Sequence, residues 1–208
     1  MQKRGILISI EGIDGSGKST LLKGLQTYFH DHKLPVVITR EPGGTPLGEK
    51  LIHLLRTRTV EIQSMAEYLL FATDRAQHFE QVVIPALDKN MTVISDRMAD
   101  SSLAYQGYGR GLDCAPIQYI NAWSMQGREP DITFYLHLSY KEAMQRMQTR
   151  TEHCSFEQEK GPFWSKVING FETIFKSRHT VIRLDASQPP SEVCAQAVAA
   201  LKSRSIIP

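Results

Sequence analysis

Cysteine is scarce in this chain: three residues, Cys114, Cys154 and Cys194, among 208. The number is odd and the spacing wide, with no CxxC pair and no Cys/His metal spacing. Disulfides and structural zinc are therefore poor readings, and thiols in a reducing cytosol the better one. Long hydrophobic runs are missing too. None approaches the roughly 20 residues that a membrane-spanning helix needs, and Met1–Gly5 leads straight into a strand with no apolar signal core. Nor is there an excess of one charge. Lys and Arg total 24, Asp and Glu 22, for a formal net charge of +2. Nothing in that balance points to nucleic acid or a membrane surface, and the cytoplasm is the expected location. Phosphate binding, if any, has to come from basic residues placed locally.

What is present is an alternation of short apolar runs and longer helical patterns. Ile6–Ile10, Val36–Thr39, Thr92–Ser95, Ile132–Leu136 and Val181–Leu184 read as strands, and runs such as Ile6–Ile10 fit strands buried on both faces. Leu21, Leu22, Leu25, Tyr28 and Phe29 recur at helical spacing. Further helices are predicted over Ser64–Asn90, bent or interrupted near Pro85, and over Ser101–Gln106, Pro116–Gln126, Ser139–Arg150, Phe163–Lys176 and Ser191–Lys202. Glu41–Gly48 and Thr151–Gly161 read as loops. Strands separated by helices imply parallel pairing through crossovers, hence an α/β three-layer sandwich around a five-stranded parallel sheet. No linker, repeat or low-complexity tract divides residues 1–208, so one domain is expected, with a lid at about 150–161. In such sheets ligands bind beyond the carboxyl ends of the strands.

The residues after the first strand are Glu11-Gly12-Ile13-Asp14-Gly15-Ser16-Gly17-Lys18-Ser19-Thr20. They satisfy GxxxxGK[ST] in the required strand–loop–helix context. Glycines let backbone N–H groups turn inward onto phosphate oxygens, the helix N-terminus adds partial positive charge, Lys18 reaches the β- and γ-phosphates, and the Ser19 hydroxyl is a Mg²⁺ ligand. Residues Gly12 to Thr20 are thus the candidate ATP site. The same loop serves kinases, motors and switches. A guanine-reading NKxD motif is absent.

Three further segments supply acceptor chemistry. Thr39-Arg40-Glu41-Pro42-Gly43-Gly44-Thr45 follows the second strand. Phe71-Ala72-Thr73-Asp74-Arg75-Ala76-Gln77-His78 lies on the long helix. There Phe71 and Arg75 share one face, an aromatic plane beside a donor fork. Asp96-Arg97-Met98-Ala99-Asp100-Ser101-Ser102-Leu103-Ala104-Tyr105-Gln106-Gly107 follows the third strand.

In this order and spacing, TREPGGT, FATDRAQH and DR…SSLAYQG after EGIDGSGKST closely resemble the thymidylate kinase family. The resemblance is dense from Gly5 to Gly111 and looser beyond. It implies the P-loop nucleoside monophosphate kinase type of sandwich. It also implies transfer of the γ-phosphoryl of ATP to dTMP, with Mg²⁺ and a homodimer formed through packed helices. Carried across, Phe71 stacks on thymine, Arg75 bonds its O4, Ser102 and Gln106 lie towards the base edge, and Ser101 is counted among the dTMP-binding residues. Arg97 holds the dTMP phosphate, Asp14 sits near the acceptor sugar and phosphate, and Tyr105 lies under the deoxyribose. Arg40 and the Glu41–Thr45 loop close over the acceptor. Asp96 organises Mg²⁺ through water. Plainer readings stand beside these: Phe71 as core, Arg75 and Asp74 as a surface ion pair, Asp96–Arg97 as a structural pair, Tyr105 as packing, Arg40 as an exposed charge. Arg110 and Arg128 read as solvated surface.

Families of this type divide by where one arginine sits, inside the phosphate loop or on the lid. The loop position here is Gly15, so the chain resembles the lid-arginine type. Arg150 is then the main lid arginine, and Arg146 assists or is structural. The usual lid Asp-Arg pair is replaced by Cys154-Ser155, and Met98 stands where tyrosine is usual. Asp185–Pro189 is expected to border the adenine. The nearest rival is a deoxynucleoside kinase using Glu41 as base on a sugar hydroxyl. Others are a nucleotide-binding module with no acceptor and a weakly active paralogue.

Overall fold

The structure, a computed structural model, describes residues 5–57, 60–148, 159 and 161–208. Five strands, β1 (Ile6–Glu11), β2 (Val36–Arg40), β3 (Thr92–Asp96), β4 (Ile132–His137) and β5 (Val181–Asp185), form one sheet in the order β2-β3-β1-β4-β5. All four pairings are parallel. The five strand runs were therefore read correctly, and helices cover both faces.

Register shows why the faces differ. Ile10 of β1 pairs with Asp96 and Phe134, while Ser9 pairs with Ser95 and Thr133. Paired residues in a parallel sheet share a face, so Ile8, Ile10, Ile94, Ile132 and Phe134 line one side. Onto them pack Leu21, Leu25 and Phe29 of α1 (Lys18–Asp31) and Val193, Ala197 and Leu201 of α9 (Pro190–Ser203). Both sets recur every four residues, which puts them on one helical stripe. The other side carries Ser9, Glu11, Ser95 and Thr133, all fully buried. The central strands β1, β3 and β4 are buried on both faces, as expected for Ile6–Ile10, but they are not apolar on both, and the edge strands β2 and β5 are only partly buried. The second face becomes polar toward the ends that border the site.

Three elements depart from the sequence reading. The loop after β2 ends earlier than Gly48: α2 (Pro46–Thr57) begins at Pro46. The Thr45 hydroxyl accepts from Gly48 N at 2.9 Å, and proline occupies the first helical position, where its missing N–H costs nothing. The long helix is widened, not broken, at Pro85. α3 (Ser64–His78) runs into a π-helical turn, π1 (Phe79–Val83), and then α4 (Ile84–Asp88). The wider turn accommodates a residue that cannot donate to the carbonyl four positions back. A second π stretch, π2 (Leu103–Gly109), follows the short α5 (Ala99–Ser102).

The remaining helices are α6 (Cys114–Ser124), α7 (Tyr140–Met147) and α8 (Gly161–Phe175). α7 opens with a capping box, Ser139 and Glu142 bonding each other's backbone. Phe171 and Phe175 of α8 pack on Tyr135, with ring centroids 5.5 and 5.0 Å away. Among the described residues no helix is long and apolar enough to cross a membrane.

Candidate active site

β1 and β3 are neighbours, yet the chain leaves β1 toward β2 and leaves β3 toward β4. That divergence opens a crevice at their carboxyl ends, and the loop from Gly12 to Gly17 and the turn at Arg97 lie there. Gly12 and Gly15 have φ of 143° and 81°, which side-chain-bearing residues rarely adopt. A Cβ on Gly12 would lie 2.7 Å from the Leu136 carbonyl oxygen, and one on Gly15 would lie 2.6 Å from that of Ala143. The loop is therefore pressed against β4 and α7, and position 15 has no room for a side chain.

Lys18 Nζ donates to the carbonyls of Gly12 and Ile13 at 3.2 and 3.0 Å and lies 4.0 Å from Asp14. Burial, followed by the charge of Arg97, lowers its pKa to about 8. Ser19 Oγ donates to Asp96 Oδ2 at 3.1 Å, and Asp96 Oδ1 is buried with no hydrogen-bond partner among the described residues.

Arg97 is the hub. Its φ of 69° is left-handed, a conformation costing a non-glycine residue about 1–2 kcal/mol. Three bonds hold the turn: Arg97 N to Ile10 O (2.9 Å), Ser95 Oγ to Arg97 O (2.8 Å) and Met98 N to Glu11 Oε1 (2.8 Å). Its guanidinium donates to Gly12 O, Ser101 Oγ, Asp14 Oδ1 and the Tyr105 hydroxyl at 2.6–3.1 Å, and lies over the Tyr105 ring. Burial opposes its charge, but Tyr105, Asp14, Asp96 and Glu11 outweigh that and raise its pKa. Burial also pushes the Tyr105 phenol up, so it stays protonated.

Beneath lies Glu11, 0% exposed, accepting from Ser9 Oγ, Met98 N and Ser101 Oγ. Burial and the charge of Asp100 raise its pKa to about 7, against the pull of Ser101, Arg97 and Met98. Nothing in the motif pattern singled out Glu11. The only available signal was a carboxylate ending an otherwise buried strand.

A second cluster centres on Arg75, 2% exposed. Nε donates to Glu41 Oε2 (2.9 Å), Nη1 to Asn121 Oδ1 (2.7 Å) and Nη2 to Ser102 Oγ (2.9 Å). It is not a surface partner of Asp74. That carboxyl is itself buried, accepts from Gly43 N at 3.0 Å, and is pushed up by burial to about 6. The other Glu41 oxygen meets His78 Nδ1 at 2.9 Å, and His78 Nε2 meets Thr39 Oγ1 at 2.6 Å. Among the described residues three of the five guanidinium protons are engaged, which leaves one on each terminal nitrogen for a ligand. Phe71, half-buried, sits one turn before Arg75.

Gln106 is buried and donates to Glu67 at 2.9 Å. Arg110 is not solvated surface: it pairs with Glu67 and Glu159, and its guanidinium lies over Phe163. Arg40 projects outward and binds both oxygens of Glu49 at 2.8 and 2.9 Å. Arg146 Nη2 donates to Ala186 O at 2.8 Å, tying α7 to the loop after β5. Arg128 is exposed. Arg150 and Cys154 lie outside the described residues. Asn121, Glu67 and Arg110 had no motif to mark them.

The segment from Arg97 to Gln106 thus joins two half-sites. Arg97 reaches the phosphate loop and Ser102 reaches Arg75. A family model described as thymidylate kinase matches residues 10–197, most of the chain. The chain belongs to the thymidylate kinase family. Curated relatives agree. A thymidylate kinase from Acinetobacter baumannii (strain SDF) is 41% identical over 196 residues, 93% of this chain and 98% of that protein. One from Carboxydothermus hydrogenoformans is 40% identical over 190 residues, 91% and 93% of the two. The crystal structure of thymidylate kinase from Ehrlichia chaffeensis superposes with a TM-score of 0.79 at 32% identity, covering 95% of this chain and 99% of that one. The family's fold is therefore the fold observed here.

Proposed function

We propose that this chain transfers the γ-phosphoryl of ATP to dTMP, giving dTDP and ADP on the route to dTTP. The observation that carries this reading is the Arg97–Gln106 segment, which links a phosphate loop to a buried donor cluster centred on Arg75. An acceptor phosphate oxygen attacks the γ-phosphorus as the bond to the bridging oxygen of ADP breaks. Both substrates are polyanions, so the work is positioning and charge compensation. Lys18 and the backbone from Gly12 to Thr20 hold the ATP phosphates. Arg97, steadied by Asp14 and Tyr105, holds the acceptor phosphate. Phe71 stacks on thymine and Arg75 donates to O4, with Ser102 and Gln106 at the base edge and the deoxyribose over Tyr105, while Ser101, bonded to Arg97, lies on the phosphate side of dTMP. Arg40 and the Glu41–Thr45 loop close over the acceptor. Arg150 closes on the γ-phosphate, and its loss is expected to reduce turnover more than tenfold. The acceptor phosphate is ionised at neutral pH, so no general base is needed.

Ser19 and Asp96 fit Mg²⁺. One hydroxyl beside a carboxylate with an unpartnered oxygen suits an ion that keeps several waters and takes phosphate oxygens. Bound there, the ion neutralises charge on the β- and γ-phosphates. The deoxynucleoside kinase reading is not favoured, because both Glu41 oxygens are committed to Arg75 and His78.

The acceptor is tested by ADP release with ATP, Mg²⁺ and each nucleoside monophosphate in turn. A clear preference for dTMP is expected; absence of one overturns the reading. A homodimer is supported by an apolar face on adjoining helices: Tyr119 (75% exposed) and Trp123 (76%) on α6, Met65 and Leu69 on α3. Trp123→Glu should give monomers by light scattering, and an unchanged mass would rule this face out.

A further inference from the structure

α3 and the α5–π2 segment face each other across two rungs. In the first, Arg75 Nη2 donates to Ser102 Oγ at 2.9 Å; in the second, Gln106 Nε2 donates to Glu67 Oε1 at 2.9 Å. Glu67, Phe71 and Arg75 recur every four residues along α3, so they form one stripe with Phe71 between the rungs. Ser102 and Gln106 are likewise four apart on the facing segment. The slot framed by these rungs is the one assigned above to the acceptor base.

Glu67 is 1% exposed and Gln106 2% exposed. An ionised carboxylate only accepts hydrogen bonds, so it dictates which end of a neighbouring amide faces it. The Gln106 NH₂ is held toward Glu67 and its carbonyl oxygen is turned away. Arg110, one turn beyond Gln106, also fixes the Glu67 carboxylate, donating Nε to Oε1 and Nη2 to Oε2, each at 3.3 Å. It is itself fixed by Glu159 and by the Phe163 ring, 4.9 Å from its guanidinium carbon.

We infer that Glu67 and Arg110 are positioning residues that lock the Gln106 amide with its oxygen toward the acceptor base, selecting pyrimidines that carry an N3–H over cytosine. The inference rests on the dTMP reading. Thymine and uracil offer a donor at N3, which the locked oxygen accepts. Cytosine offers a lone pair there, oxygen against nitrogen, and its 4-amino group faces the Arg75 donors. A site with a fixed acceptor rejects the mismatched partner because a buried group is left unpaired.

The test compares kcat/KM for dTMP and dCMP. Glu67→Gln keeps size and hydrogen bonding but lets the Gln106 amide take either orientation. We expect the dTMP-to-dCMP ratio to fall at least tenfold, mainly through a higher KM for dTMP, with KM for ATP within twofold of wild type. In a Gln106→Met background the same substitution should leave the ratio unchanged, since it acts through Gln106. Arg110→Lys should shift the ratio in the same direction by a few fold, and decides the matter should Glu67→Gln not fold. Equal losses for both substrates, or an unchanged ratio, overturn the inference and leave the dTMP reading intact. A wild type with no preference for dTMP overturns that reading first, and this one with it.

Discussion

Glu11→Gln should change how stability depends on pH, and the sign is fixed by the structure. The Glu11 carboxyl is 0% exposed, at the foot of the Arg97 turn. Burial, then Asp100, lifts its pKa from 4.5 to about 7. The folded state therefore holds this proton more tightly than the unfolded chain between pH 4.5 and 7. Where the native state binds more protons, unfolding free energy falls as pH rises. The contribution is fully present below pH 4.5 and gone above about 7. The difference of 7 − 4.5, about 2.5 units at 1.36 kcal/mol each, makes the total about 3 kcal/mol. Glutamine keeps the shape and cannot titrate. Asp74, also raised, titrates in both proteins and largely cancels in the comparison. Urea unfolding from pH 4.5 to 8 is the assay. Wild type should lose about 3 kcal/mol more than the variant over that range. Parallel curves, or a wild type that gains relative to the variant, would refute the placement of a buried acid under Arg97.

Two further substitutions probe the crevice. Gly15→Ala puts a Cβ 2.6 Å from the Ala143 carbonyl oxygen at φ 81°. It should cost about 1–3 kcal/mol in thermal melts and raise KM for ATP, and an unchanged melting temperature would contradict the packing of α7 on the loop. Arg97→Lys removes the planar fork that spans Gly12, Ser101, Asp14 and Tyr105. A loss of kcat/KM for dTMP on the order of 100-fold is expected in steady-state assays, with the fold retained by circular dichroism.

The strands and the phosphate loop were legible because each is a local pattern: β-rich runs, and glycines at fixed offsets before a lysine. Phe71 and Arg75 were legible as a helical pair. Their surroundings were not. Arg75 is held by Glu41 and Asn121, which lie 34 and 46 positions away, and no spacing rule links them. Arg110 looked like surface because its partners, Glu67 and Glu159, are 43 and 49 positions off. The helix at Pro46 was hidden by the glycines and prolines around it, although Thr45-Pro46 is a start signal. Pro85 marked the right place but not the remedy, since a π turn is invisible to a 3.6-residue period.

The polar row across the sheet separates bonds that hold the site from hydroxyls that hold nothing. Ser95 and Thr133 both pair with Ser9 in register, and both are 0% exposed. They are alike in chemistry and depth and differ in one respect. Ser95 Oγ donates to Arg97 O at 2.8 Å, whereas Thr133 Oγ1 has no partner among the described residues. A buried bonded pair broken on one side costs about 1–3 kcal/mol, while a buried hydroxyl without a partner is already a burden that an apolar isostere relieves. Ser95→Ala should therefore lower stability by about 1–2 kcal/mol. Because the lost bond braces the left-handed turn at Arg97, it should also raise KM for dTMP. Thr133→Val, of nearly the same shape, should be neutral or stabilising by up to about 1 kcal/mol, with kinetics untouched. Chemical denaturation and dTMP titrations on the two variants decide it. Equal effects would mean that the row matters as a polar layer; opposite signs would mean that it matters one bond at a time, through the turn that carries Arg97.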